Sequence, residues 1–155
     1  MSFHEKIKNT LDIDGLYDEP NIKDILFQIR PTFQEVQSSI PSPEGLEYGR
    51  NVIYQNNKFE VILIYLPAFS KTSVHDHGNS SGWIYVVDGQ LLNLIYNKSN
   101  NGVEYKKNES YQRGDIFSVT GDTTHAMYNP GFSSTVTLHI YSPPLGTGQV
   151  FKPHD

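Results

Sequence analysis

The chain contains no cysteine. That one absence removes disulfides, thiolate-ligated zinc, iron–sulfur clusters and a cysteine nucleophile. Positive charge is also in short supply. Twelve Lys and Arg stand against seventeen Asp and Glu, the net charge is −5, and the basic residues form no run. Nucleic acid is therefore not an expected partner, because binding it requires a basic surface that displaces phosphate counterions. Long apolar runs are missing as well. Val61–Ala68 is the longest, far below the roughly 20 residues a membrane-spanning helix needs. Met1–Asn9 is polar and has no apolar centre of the kind a signal peptide carries. The expectation is a cytoplasmic protein with no membrane partner. The acidic balance and the lack of a large apolar surface run predict a monomer.

What is present fits a β-rich domain. The 155 residues suffice for one domain, residues 1–155, which buries roughly 70% of its unfolded surface. Ten Tyr and eight Phe suit the pleated faces of strands. Residues 1–45 read as a helical segment that packs on the remainder. Ile22, Ile25, Leu26 and Ile29 recur at helical spacing, with Asn21 as an N-cap. Arg30–Pro31 breaks that helix, and Pro31 opens a second one through about Ser39, with Phe33, Val36 and Ile40 as its apolar side. Pro41–Gly45 is a linker or turn.

From Tyr48 onward, runs rich in Val, Ile and Tyr alternate with Asn/Gly/Ser turns. The predicted strands are Asn51–Tyr54, Glu60–Leu66, Trp83–Val87, Leu91–Tyr96, Ile116–Val119, Ala126–Tyr128 and Thr135–Tyr141. Asn56–Asn57, Asp88–Gly89 and Asn100–Gly102 read as hairpin turns. Many short strands at close spacing imply a sandwich or barrel.

Two constellations carry chemistry. His75 and His77 form a His-x-His pair, which a strand would present on one face, and His125 follows after a turn-rich stretch. Three imidazoles on one face can hold a divalent metal. Each could also be an ordinary surface or core histidine. The second constellation is the strand Val136–Tyr141. Val136, Leu138 and Ile140 face one way, while Thr137, His139 and Tyr141 face the other. A hydroxyl, an imidazole and a phenol in line can form a hydrogen-bonded relay in a polar cavity; the alternative is a half-exposed strand with a wet face. Asp76 points away from its histidine neighbours and reads as structural. Trp83 reads as core or pocket wall. His4 and His154 lie near the termini and read as solvated.

The histidines lie at spacings that resemble the two motifs of the cupin superfamily. Gly82 stands where the first motif carries Glu, and Gly114, His125 and Asn129 match the second. The match tightens at the end of the chain. Thr137-Leu138-His139-Ile140-Tyr141-Ser142-Pro143-Pro144 resembles the Ser-x-His-x-Tyr-Ser-Pro-Pro signature of the thiol dioxygenases. His75-Asp76-His77 and Tyr48-Gly49-Arg50-Asn51 resemble two further segments of that family. The resemblance spans about Tyr48 to Phe151 and identifies the chain with the cysteine dioxygenase type I family.

The resemblance implies a mainly β fold, the cupin double-stranded β-barrel, for residues 46–155. It implies Fe(II) on His75, His77 and His125, and Arg50 gripping the substrate carboxylate beside Tyr48. It places Tyr141 near the bound substrate and oxygen, supported by His139 and Thr137. The implied reaction takes L-cysteine and O2 to cysteine sulfinic acid. A sister enzyme acting on 3-mercaptopropionate generally carries Gln where this chain has Arg50, which favours cysteine. A non-catalytic cupin sensor and a cupin isomerase are the rivals of other classes. In animal members a cysteine is linked to the tyrosine that matches Tyr141. Gly82 occupies the position of that cysteine here, as it commonly does in bacterial members, so the link cannot form.

Overall fold

The computed structural model describes residues 2–12, 20–145 and 150–151. Its helices come first: α1 (Phe3–Leu11), α2 (Pro20–Ile29) and α3 (Phe33–Val36), the last running into a 3-10 turn at Gln37–Ser39. Both α1 and α3 start on a capping box. Ser2 accepts from the Glu5 N–H while Glu5 accepts from the Ser2 N–H, and Thr32 and Glu35 do the same. Each such cap is worth about 1 kcal/mol.

Two expected boundaries shift. The second predicted helix opens at Phe33, not Pro31, because the Thr32 hydroxyl supplies the cap. Asn21 lies inside α2, because Pro20 already adopts the first helical position, where its missing N–H costs nothing. The helix α2 does end before Pro31, with Arg30 turning into a positive φ of 33°. Of the predicted apolar side of α3, Val36 is buried, Ile40 is partly buried and Phe33 is exposed.

Ten strands follow among the described residues: β1 (Gly49–Gln55), β2 (Glu60–Leu66), β3 (Val74–His75), β4 (Ser81–Asp88), β5 (Gln90–Ser99), β6 (Gly102–Gln112), β7 (Ile116–Val119), β8 (Thr124–Tyr128), β9 (Thr135–Ser142) and β10 (Val150–Phe151). They form two five-stranded sheets, β1-β2-β9-β4-β7 and β10-β3-β8-β5-β6, with every pair antiparallel. Asn56–Asn57 and Asn100–Gly102 turn hairpins as predicted. Asp88–Gly89 does not, because β4 and β5 belong to different sheets and this turn is the corner between them. Gly89 takes a φ of 92° there, a conformation open to glycine.

The first sheet is buried on both faces, and strand alternation separates the two. Val61, Leu63, Tyr85, Val87, Val136, Leu138 and Ile140 pack outward against Ile7, Leu11, Ile22, Leu26 and Val36 of the helices. Ile62, Ile64, Ile84, Val86, Phe117, Val119, Met127 and Tyr141 pack inward between the sheets. Trp83 belongs with the outward set, and Lys23 lies 5.9 Å from its ring. It is half-buried on the helix side of the sheet and not a wall of the inner cavity. No helix among the described residues is long and apolar enough to cross a membrane.

Candidate metal centre

The three histidines converge. One ring nitrogen from each lies within 4.8 Å of those of the other two, and the ring centroids of His75 and His125 are 4.8 Å apart. Antiparallel pairing puts His75 of β3 directly opposite His125 of β8. His77 arrives differently from the expectation. Strand β3 ends at His75, so the i, i+2 rule of a strand does not place His77. A tight turn does: the His77 N–H donates to the Gly121 carbonyl at 3.0 Å, and the Ser80 N–H donates back to the His77 carbonyl at 3.0 Å. Gly121 is packed so closely on the carbonyl of Gly78 that a side chain there would collide.

The hydrogen bonds behind the rings decide which nitrogen faces the centre. His75 Nδ1 lies 2.6 Å from the Ser73 carbonyl, which can only accept. His125 Nδ1 lies 2.6 Å from the Asn93 side-chain oxygen. Both Nδ1 atoms therefore carry the proton, and both Nε2 lone pairs are left to point inward, as metal-bound histidines require. His125 Nε2 and His77 Nε2 are 3.3 Å apart. Burial keeps all three rings neutral. It lowers the pKa of His75; it lowers His77 to about 4, helped by the repulsion a protonated His75 would exert; and it lowers His125 well below the usual value. Neutral, inward-facing imidazoles fit a divalent transition metal.

The row on β9 is buried, not half-exposed. Thr137 Oγ1 lies 2.7 Å from His139 Nε2, and His139 Nδ1 lies 2.9 Å from the Tyr141 hydroxyl. Burial holds His139 neutral, and burial raises the Tyr141 pKa, so the phenol keeps its proton. A neutral imidazole donates at one nitrogen and accepts at the other, so the two hydrogen bonds run in one sense along the row. The Tyr141 ring stacks on His77 with centroids 5.2 Å apart, which brings the row into contact with the histidine cluster.

Tyr48 packs against the inner cluster that contains Tyr141. Arg50 lies 3.9 Å from Glu60 through one nitrogen, and its charge lowers the pKa of His75 and His139. Burial raises the pKa of Tyr48, and Arg50 counters it. Tyr48 and Arg50 line a cavity of about 380 Å³ with Ser38, Ser42 and Glu44, a cavity that none of the three histidines lines. Asp76 accepts from the Gly78 N–H and pairs with Lys98 at 2.9 Å, the structural part expected of it. Asn129, matched to the cupin motif, binds backbone at Leu66 and Ser133 and stays out of the centre. His4 packs edge-on to Tyr54; His154 lies outside the described residues.

Sequence reasoning missed Asn93, Ser73 and Glu60. Asn93 had a signal, a lone amide inside the apolar run Leu91–Tyr96. Ser73 acts through its backbone and had none.

Comparison with known proteins bears on the fold and the family. The fold is shared with a double-stranded β-helix protein from Klebsiella pneumoniae (TM-score 0.60, 16% identity, 74% of this chain and 93% of that one). It is shared also with an RmlC-like cupin from Shewanella frigidimarina (TM-score 0.53, 20% identity, 68% and 83%). In sequence, the chain is 31% identical to the human protein cysteine dioxygenase type 1 and 30% identical to that of the rat, each over 112 residues and 67% of this chain. It spans about half the length of these curated relatives, 55%. Residues 44–154 match the family described as cysteine dioxygenase type I, and with that match over most of its length the chain belongs to the cysteine dioxygenase type I family of the cupin superfamily.

Proposed function

We propose that the chain is an iron(II)-dependent thiol dioxygenase that converts L-cysteine and O2 to cysteine sulfinic acid, acting in the cytoplasm as a monomer, with residues 1–155 as one cupin domain. The observation that carries this reading is the contact between its two constellations. Three imidazoles each bring a nitrogen within 4.8 Å of the other two, and a buried phenol backed by an imidazole and a hydroxyl stacks on one of them at 5.2 Å. A pure binding module has no use for a proton donor held beside its metal.

In this reading His75, His77 and His125 hold the iron. A bound iron(II) supplies open positions for a thiolate and O2 and the redox capacity to join them. Three uncharged ligands leave the ion's positive charge intact, which favours the deprotonated thiol. Arg50 grips the substrate carboxylate with a planar, bidentate fork, and Tyr48 borders that end of the pocket. Tyr141 donates its phenol hydrogen bond into the centre when the relay runs from Thr137 O–H to His139 Nε2 and from His139 Nδ1–H to the Tyr141 oxygen. Gly82, where other cupins carry Glu, adds no anionic ligand. The balance closes without a further reductant: RSH and O2 give RSO2H, both oxygen atoms end on sulfur, and sulfur supplies the electrons.

The test is oxygen uptake by anaerobically purified, Fe(II)-loaded protein given L-cysteine or 3-mercaptopropionate in air. The expected result is uptake matched by cysteine sulfinate and lost in His77→Ala. Turnover of 3-mercaptopropionate alone would keep the metal centre and overturn the use of Arg50. No uptake with either thiol at one iron per chain would sink the dioxygenase reading in favour of a sensor or an isomerase.

A further inference from the structure

Glu60 opens β2 and yet is only 5% exposed. A carboxylate this deep needs partners to offset its lost hydration, and its two oxygens serve different ones. Oε1 accepts the Leu145 N–H at 2.8 Å. Oε2 faces Arg50 Nη2 at 3.9 Å. In register, Glu60 lies opposite Tyr141 across the β2–β9 pair. Leu145 in turn packs with Tyr48 against the inner cluster that contains Tyr141. One buried carboxylate thus joins three parts of the barrel mouth: β1 at Arg50, β9 at Tyr141, and the chain after Ser142 at Leu145.

Arg50 sits on β1, an edge strand, with its side chain 40% exposed. Left alone, such a side chain samples many rotamers. Its contact with Glu60 engages one nitrogen at long range and leaves most of the guanidinium fork for a ligand. The geometry points to Glu60 as the positioning residue of the substrate end: it aims the Arg50 guanidinium at the barrel mouth for the carboxylate of the incoming thiol, and the Leu145 N–H fixes Glu60 itself. This rests on the part given to Arg50 in the proposed function. It makes Glu60 a determinant of selectivity for carboxylate-bearing thiols, because a thiol without a carboxylate never meets Arg50.

The experiment is anaerobic calorimetry of Fe(II)-loaded protein with L-cysteine and with 2-aminoethanethiol, which lacks the carboxylate. Glu60→Gln keeps an acceptor for the Leu145 N–H and removes the charge facing Arg50. It is expected to weaken L-cysteine binding about two- to tenfold, the cost of ordering one long side chain, and to leave 2-aminoethanethiol unchanged. In an Arg50→Gln background, adding Glu60→Gln is expected to change nothing, since the partner is gone. Glu60→Asp, which keeps the charge but withdraws it by one methylene, gives the same split if Glu60→Gln does not fold. Equal weakening of both thiols, an effect that persists without Arg50, or tighter L-cysteine binding would each overturn the inference. A parent protein that binds neither thiol would overturn the proposed function and this inference with it. Normal L-cysteine binding by Arg50→Gln would overturn the part given to Arg50.

Discussion

Tyr141 keeps its place because its neighbour has no side chain. Gly82 pairs with Tyr141 across β4 and β9, and a Cβ at Gly82 would lie 2.5 Å from two ring carbons of Tyr141. Gly82→Ala must push the ring off His77 and off the 2.9 Å bond to His139. Displacements near an ångström at a reacting centre cost roughly 10²-fold in rate, so oxygen uptake is expected to fall by about that factor. Metal analysis of the same variant should still find one iron per chain, because no histidine is touched. Iron lost in step with activity would show that Gly82 serves the metal and not the tyrosine. At this scale the sequence made the clustered side chains legible: His75, His77, His125 and the Thr137–Tyr141 row carry distinctive types at distinctive spacings. It hid their supports. Asn93 reaches His125 across thirty-two positions, and Glu60 reaches Leu145 across eighty-five. Contacts that distant in sequence leave no local pattern.

Strand β9 does two jobs because its faces alternate. Thr137, His139 and Tyr141 point into the barrel, while Val136, Leu138 and Ile140 point at the helices. The faces should separate under mutation. Leu138 is fully buried, and truncating it to Ala should cost about 2–5 kcal/mol of stability. Denaturant melts of Leu138→Ala are expected to show that loss, while iron stoichiometry and KM stay put. Iron loss without a stability change would mean that the helix-side face is not what Leu138 supports. The alternation that makes this prediction also made the strands legible. The bounds of β2 and β7 are those the Val/Ile-rich runs predict, and β9 differs by one residue. Strand β6 escaped because Gly102–Gln112 is mostly exposed and polar, so it has no apolar rhythm to detect. The short strand β3 escaped for want of length. The turn at Asp88–Gly89 was legible as a turn but not as a corner between sheets, since partner choice is settled by packing across the whole barrel.

For the whole molecule, burying so much imidazole ties stability to pH. His77, His125 and His139 are at most 1% exposed, and burial lowers the pKa of each, His77 to about 4. In the unfolded chain a histidine titrates near 6.5. Above that value neither state holds the proton, and these residues contribute no pH dependence. Below it the unfolded chain takes up protons that the folded core refuses, so the metal-free protein must lose stability as pH falls from about 6.5 toward 4. Each refused proton contributes at most about 1.4 kcal/mol per pH unit. Carboxylates blur the effect at the acid end, which makes pH 7.5 to 5.5 the informative window. Thermal melts of the metal-free protein are expected to show a steady Tm above pH 7 and a falling Tm below 6.5. A divalent metal such as the proposed iron would bind only the neutral imidazoles of the folded state and so should raise Tm across the window, by mass action on that state. His139→Gln keeps a neutral side chain able to hydrogen-bond in the row but cannot take the proton when unfolded, so its slope should be shallower than that of the parent. A flat Tm from pH 7.5 to 5.5 in the parent would show that the histidines are not held neutral, and the inward-facing lone pairs that favour a metal would lose their physical basis.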